Sequence, residues 1–197
     1  QAGAEKWGTA LPLLEDEYTF EDALLVGLML LTLINHSDRV KMACMAQLCN
    51  VIAPIMTSPA GGAWKQTIFY PLYDASVFGR GEALQPRLIC PRHDTSSCQD
   101  VPMLECAAIE RREGGLCLLI ANRDMEADAA LTLDLRAFGP LSVQSHTSLH
   151  SADKWATNTE AEQRVAPKEL PLGTETDESG LAVLRIPAFS WNRVLLG

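Results

Sequence analysis

The feature that most constrains the fold is an uncharged apolar run at residues 23–34, ALLVGLMLLTLI. A helix that spans a bilayer needs ~20 consecutive apolar residues, and this run is shorter. Phe20 and Leu24 follow one side at helical spacing, whereas Leu25 and Met29 fill the opposite side. We therefore predict a buried helix that must be covered nearly all round, in a protein that does not enter a membrane.

The residues around this run suggest a helix, strand, loop and helix in succession. Thr19 followed by Asp22 resembles a capping box at the helix start. Beyond the turn residues 35–38, residues 39–48 read as a strand buried on both faces, 57–62 as a loop and 64–78 as a helix. This order is typical of parallel α/β architecture.

After residues 79–81 the apolar period falls to two, with Gly, Pro, Asp and Asn between short runs. This spacing predicts an antiparallel β-sandwich. Residues 151–180 are polar and predict a long surface loop. The predicted strands are residues 87–90, 103–110, 116–121, 130–135, 141–146, 181–186 and 191–196.

Composition fits a folded chain of 197 residues, with 47% hydrophobic residues and a net charge of −9. Neither side of Glu82 is basic, so we expect no nucleic-acid partner. A closed (β/α)₈ barrel takes about 250 residues. Residues 1–82 are too few to close such a sheet or to cover the apolar helix. We therefore expect further polypeptide to pack on them, as a separate chain or as the rest of a longer protein.

The six cysteines form no CxxC pair and have no metal-ligand spacing with the four histidines. Several lie inside apolar runs, which is typical of small buried side chains in a reducing compartment. We predict no disulfide, no metal site and no cofactor. The cysteines are Cys44, Cys49, Cys90, Cys98, Cys106 and Cys117.

Four long sequence motifs in the first 82 residues carry a family resemblance, with looser matches at 121–124 and 190–192. The motifs occupy residues 18–27, 36–41, 46–57 and 63–71, and Gly79-Arg80-Gly81 follows them. Together they resemble the C-terminal part of the α-L-arabinofuranosidases of glycoside hydrolase family 51. The resemblance is close over residues 7–82 and weaker beyond.

The resemblance implies a fold of class α/β plus all-β. Residues 1–82 would be the last strand–helix units of a (β/α)₈ TIM barrel, and residues 83–197 a C-terminal β-sandwich. It implies removal of terminal α-L-arabinofuranosyl groups from arabinan, arabinoxylan and their oligosaccharides, with retention. That chemistry uses two carboxyl groups about 5–5.5 Å apart. In the family both are glutamates, one in an Asn-Glu motif and one in an Asp-Glu-Trp motif. This sequence lacks both motifs, so we expect no catalytic residue in this chain.

Gln47 matches the glutamine that hydrogen-bonds the arabinose ring in this family. In the predicted strand, Gln47 shares a face with Lys41, Ala43 and Met45 and lies near the carboxyl end, where barrel sites are built. Its amide offers a donor and an acceptor to adjacent sugar hydroxyls. The alternative is a glutamine that caps backbone groups at the strand end; with the resemblance we favour substrate binding.

Other polar and aromatic residues have ordinary structural interpretations. The acidic residues at 15–17 and 21–22 read as a solvated loop and as helix-start charges. Asn50 either braces the site or caps backbone groups, and Trp7 and Trp64 either stack on sugar or pack. The histidines read as structural or distant from any base role: His36, His93, His146 and His150.

The resemblance further implies a homo-oligomer, and the cysteines, read as thiols of a reducing compartment, favour the cytoplasm. The alternative is a noncatalytic carbohydrate-binding or assembly module made of the β-sandwich. A sugar-binding module would need a row of exposed aromatic residues. Residues 83–197 contain only Phe138, Trp155, Phe189 and Trp191, which is thin support.

Overall fold

The computed structural model describes residues 15–172 and 180–197. It contains two α-helices, α1 (Phe20–Asn35) and α2 (Phe69–Phe78). No helix in these two ranges is long and apolar enough to cross a membrane. The strands are β1 (Ile55–Thr57), β2 (Ala63–Lys65), β3 (Gly81–Leu84), β4 (Arg92–His93), β5 (Val101–Pro102), β6 (Leu104–Arg111), β7 (Leu116–Asn122), β8 (Ala129–Asp134), β9 (Val143–His150), β10 (Lys168–Glu169), β11 (Leu181–Ile186) and β12 (Ser190–Leu196).

A six-stranded antiparallel sheet, in the order β10-β9-β12-β7-β6-β3, forms the centre of the molecule. The two-stranded sheet β11-β8 packs on one face, and α1 and α2 contact the other. Every residue of β7 is therefore buried. The chain is rich in sheet with few helices, as predicted for its larger part.

Two apolar cores lie on opposite faces of the six-stranded sheet, because alternate side chains of each strand point to opposite sides. The core under the helices contains Phe20, Leu31, Leu119, Leu149 and Trp191 among others. The core between the two sheets contains Ile120, Leu131, Leu184, Val194 and Leu196 among others.

The predicted helix is confirmed over α1, and its start is the predicted capping box. The Thr19 backbone N–H donates to Asp22 Oδ2 at 2.7 Å, while the Asp22 N–H donates to the Thr19 hydroxyl. The chain's own sheet covers only one side of α1. Gly27 lies against Trp191, and a Cβ there would approach the indole to 2.6 Å. Leu25 and Met29, on the other side, are 56% and 59% exposed.

Helix α2 is attached to β12 by a buried polar network. Asp74 accepts from Trp191 Nε1 at 2.9 Å and from Arg193 Nη1 at 2.7 Å, and Arg193 also donates to Thr147. The guanidinium stacks over the Phe78 ring. Burial raises the pKa of Asp74, and Arg193 and the hydrogen bonds oppose that rise.

The predicted strand at residues 39–48 is wrong. Residues 41–49 are exposed and form no strand. A strand needs hydrogen-bonding neighbours for its backbone groups. The nearest described pairing is an isolated parallel bridge between Cys49 and Ile55. An apolar run of strand length therefore stays outside any described sheet.

The predicted helix at 64–78 begins later than expected, at Phe69. Residues 63–65 instead form β2, which pairs antiparallel with β1, as in Met56 opposite Trp64. The predicted strand at 87–90 is also absent; the chain there runs to the short strand β4, and residue 89 is exposed.

The remaining six predicted strands are confirmed as β6, β7, β8, β9, β11 and β12, with ends shifted by a few residues. The loop predicted at 151–180 is only partly a surface loop, and its residues 173–179 lie outside the described part. Two of its own residues, Ala156 and Val165, are buried. The Phe20 N–H donates to Ala156 O, and Asn158 Nδ2 donates to Lys65 O. This segment is therefore packed against the start of α1 and against β2.

The prediction of buried cysteines holds for only part of the set. Cys106 and Cys117 are buried, and burial raises the pKa of each thiol to about 12. Cys90 is half-buried. Cys44, Cys49 and Cys98 are exposed, because they lie in segments outside the two cores. All six are free thiols.

Candidate functional site

Gln47, the predicted sugar ligand, lies in the exposed segment 41–49. Its backbone has φ 61°, in the left-handed region. The turn that follows contains two more non-glycine residues of this kind, Asn50 at φ 62° and Val51 at φ 60°. This conformation is unusual for a β-branched residue and costs ~1–3 kcal/mol per residue. Such backbone persists only where the surroundings hold it in place.

Asn50 closes this turn onto β1. Its Oδ1 accepts from the Thr57 N–H at 2.7 Å, and its Nδ2 donates to the Thr57 hydroxyl at 2.9 Å. The Asn50 N–H donates to Ile55 O. Of the two interpretations offered by the sequence, the structure places Asn50 in a backbone-capping role.

Four consecutive carbonyls of the turn, at residues 51–54, each accept a hydrogen bond from outside it. The Asp16 N–H donates to Val51 O at 2.9 Å, and the Tyr18 hydroxyl donates to Ile52 O at 2.9 Å. Gln66 supplies the other two. Its Nε2 donates to Ala53 O at 2.9 Å, and its backbone N–H donates to Pro54 O at 2.8 Å.

Gln66 is 2% exposed, and it joins the turn to the segment that leads into α1. Its Nε2 also donates to Asp16 O at 3.0 Å, while its Oε1 accepts from the Tyr18 N–H at 3.0 Å. The neighbouring Thr67 hydroxyl contacts the carbonyls of Tyr18 and Thr19. Sequence reasoning missed Gln66, because its partners are 13 to 50 residues away along the chain.

Of the two tryptophans predicted as possible sugar platforms, the structure describes one. Trp64 is half-buried in β2, and Trp7 lies outside the described residues. The acidic residues 15–17 are exposed, as predicted. Asp22 belongs to the capping box, and Glu21 pairs with Lys154 at 3.0 Å. These carboxylates have structural partners or face solvent.

The histidines also have structural surroundings. His36 ends α1, and its backbone N–H donates to Thr32 O. His146 is buried with Nε2 3.2 Å from Asn192 Oδ1, and burial lowers its pKa. Burial and the charge of Lys168 lower the pKa of His150. Within the two described ranges, no cluster of three or more His, Cys, Asp or Glu side chains is suited to a metal ion.

A cleft of about 1180 Å³ opens on the far side of the six-stranded sheet, between residues 84–91 and β8. Its lining is mainly apolar and includes Leu88, Leu118 and Leu133. Polar side chains such as Asn122, Asp124 and Arg136 also line it. The cleft contains neither Gln47 nor Gln66.

The chain matches the α-L-arabinofuranosidase C-terminal domain family over residues 4–190. It is 46% identical to an intracellular exo-α-(1→5)-L-arabinofuranosidase of Halalkalibacterium halodurans, over 97% of this chain and 38% of that protein. A Bacillus subtilis enzyme described in the same words is 43% identical, with 98% and 38% covered. The chain thus spans well under half the length of these relatives.

A solved structure shows the same fold. A family 51 α-L-arabinofuranosidase from Bifidobacterium longum superposes with a TM-score of 0.86 at 37% identity, over 100% of this chain and 38% of that one. A family 51 arabinofuranosidase from Xanthomonas axonopodis, at 24% identity, shares the fold with a TM-score of 0.82. The family match over nearly all of the chain and these relatives place it in the α-L-arabinofuranosidase C-terminal domain family.

Proposed function

We propose that this chain is the C-terminal portion of a retaining α-L-arabinofuranosidase. The enzyme would release terminal non-reducing α-L-arabinofuranosyl residues from arabinan, arabinoxylan and oligosaccharides. The observation that carries this proposal is the identity of 43–46% to arabinofuranosidases over almost the whole chain. Both catalytic glutamates would lie upstream of these residues, and this chain alone would be inactive.

In this proposal residues 1–82 complete a (β/α)₈ barrel, and residues 83–197 form the sandwich that follows it. The exposed apolar side chains of the N-terminal half support a covering partner. Leu25, Met29, Met42 and Leu48 are each more than half exposed. A barrel portion packed on them would remove this apolar surface from water, which favours association.

Gln47 would then hydrogen-bond the arabinofuranosyl ring. Its side chain is exposed, so an upstream barrel portion packed beside it would enclose it together with a bound sugar. Its amide is able to bind adjacent sugar hydroxyls through both its donor and its acceptor.

The test is hydrolysis of p-nitrophenyl α-L-arabinofuranoside, with this chain alone and with a protein that adds the upstream portion. We expect activity only in the longer protein. There, Gln47→Ala should lower kcat/KM by about 5- to 150-fold, the ~1–3 kcal/mol of an unpaired polar partner. Gln144→Ala, an exposed glutamine on β9, is the matched control and should leave kcat/KM unchanged. An active 197-residue chain would contradict the placement of the glutamates.

A separate sugar-binding module has less support. Trp191 is buried, and the exposed aromatic residues of the described sandwich, Phe138 and Trp155, lie in separate loops. Retention of the 197-residue chain on immobilised arabinan would favour the module.

A homo-oligomer in the cytoplasm stays a prediction. Light scattering on the longer protein tests the oligomer, and cell fractionation tests the location, which the intracellular relatives support.

A further inference from the structure

The turn at residues 50–55 is held almost entirely by hydrogen bonds from other segments. Its four carbonyls at 51–54 accept from Asp16, Tyr18 and Gln66, as described above. The Asn50 N–H donates to Ile55 O and so joins the two ends of the turn. The Asn50 side chain bonds Thr57, in the strand that follows. This turn begins three residues after Gln47, so its position limits where the Gln47 side chain can point.

Gln66 is the only one of these donors whose side chain bonds both segments. Its amide uses both N–H groups, toward Ala53 O and Asp16 O, and its oxygen accepts from Tyr18 N–H. A carboxylate of the same shape could make just one of these contacts and would oppose two carbonyl oxygens. The site therefore specifies an amide rather than a polar side chain in general.

The backbone at 47, 50 and 51 needs such support. All three residues have φ near +60° without being glycine, and strained backbone survives where its surroundings over-determine it. Loss of the Gln66 contacts would let this stretch relax toward ordinary conformations. The first side chain to lose its orientation would be the exposed Gln47.

We propose that Gln66 is a positioning residue that acts through Gln47, fixing the turn that aims the Gln47 amide at the arabinofuranosyl ring. This inference rests on the proposed function. It adds a buried residue that need not contact the substrate. It also gives a functional role to the hydrogen bonds between the segment at 16–18 and the turn at 50–55.

A double-mutant cycle in the longer, active protein tests the proposal. Gln66→Met is nearly isosteric and removes all three side-chain hydrogen bonds. We expect it to lower kcat/KM for p-nitrophenyl α-L-arabinofuranoside by at least about 10-fold when Gln47 is present. In a Gln47→Ala background it should lower kcat/KM less than about twofold, because there is no amide left to misplace. Equal losses in both backgrounds, or no loss in either, would overturn the proposal.

Two further variants keep the test decisive. Tyr18→Phe removes a single bond, to Ile52 O, and should fold even if Gln66→Met does not. The same cycle with Tyr18→Phe should show a smaller loss, about 2- to 5-fold, that again disappears with Gln47→Ala; persistence of that loss would count against the proposal. Gln163→Met, which removes a bond to the Tyr70 hydroxyl and none to the turn, should leave kcat/KM unchanged.

The outcomes separate this inference from the function on which it rests. A longer wild-type protein without arabinofuranosidase activity would defeat the proposed function. An active wild-type protein in which the Gln66 and Gln47 losses multiply independently would defeat only the positioning role.

Discussion

Strand β7 and the segment at residues 41–49 are both short apolar runs, yet they differ in every structural respect. All seven residues of β7 are buried, with β6 on one edge, β12 on the other and a core on each face. All nine residues of the 41–49 segment are exposed. The difference shows that an apolar run becomes a strand when other segments supply both its hydrogen bonds and its cover.

Helix α1 contains the same contrast within a single element. Ala23 and Leu31 are fully buried against the sheet, while Leu25 and Met29 face outward. A helix satisfies its own backbone, so it forms even when one side lacks a partner. A strand cannot satisfy its backbone hydrogen bonds within itself. This explains why α1 forms where it was predicted and the strand at residues 39–48 does not.

The largest expected effect concerns backbone hydrogen exchange. In the 197-residue chain, amides at 42–48 should exchange nearly as fast as in an unstructured peptide. Amides of β7 should exchange at least about 1,000-fold more slowly, because they open only with the global fold. Exchange mass spectrometry measures both regions in one sample. Equal protection in the two regions would remove the contrast, whereas protection of 42–48 in the longer protein alone would sharpen it.

The next effect tests how firmly the helices belong to the sheet. Asp74→Ala leaves Arg193, whose side chain is only 15% exposed, without its charge partner, and we expect a loss of about 3–5 kcal/mol in the free energy of unfolding. Urea titration followed by circular dichroism measures it. The control is Arg164→Ala, which breaks the exposed Arg164–Asp153 pair and should change stability little. Equal effects of both variants would mean that burial of the network contributes nothing.

A smaller effect is expected at the contact of α1 with β12. Gly27→Ala should raise helix propensity, yet its Cβ would overlap the Trp191 ring. We expect a net loss of about 1–3 kcal/mol in the free energy of unfolding, since overpacking outweighs propensity. Thr32→Ala, on the exposed side of the same helix, should be neutral or slightly stabilising. A more stable Gly27→Ala variant would show that this contact is loose.

The smallest effect is the pH dependence contributed by His146. Burial holds its pKa below that of the unfolded chain, about 6.5. The unfolded state then binds the proton more tightly, so stability is complete above that pH and falls as the pH drops below it. The slope per histidine is at most about 1.4 kcal/mol per pH unit. His146→Gln should flatten unfolding curves measured between pH 7 and 5; an unchanged slope would point to other groups such as His150.

Local signals sufficed for much of the fold. Thr19 and Asp22 marked the start of α1, and the alternating or continuous apolar runs marked β6, β7 and β12. The segment at 151–165 was misjudged, because Ala156 and Val165 are two apolar residues in a polar stretch. The candidate site was less predictable still: Gln47 came from family resemblance, and Gln66 has no local signature. Hydrogen bonds to distant backbone leave no periodic trace in a sequence.

The alternation of β12 has a practical consequence for dividing this molecule. Trp191 and Arg193 point toward the helices, while Val194 and Leu196 fill the opposite core. A fragment trimmed to begin at residue 83 would cut through β3 and strip the cover from an indole and a guanidinium at once. Anyone wishing to study the sandwich by itself should therefore keep α1 and α2 attached, or expect the trimmed product to aggregate.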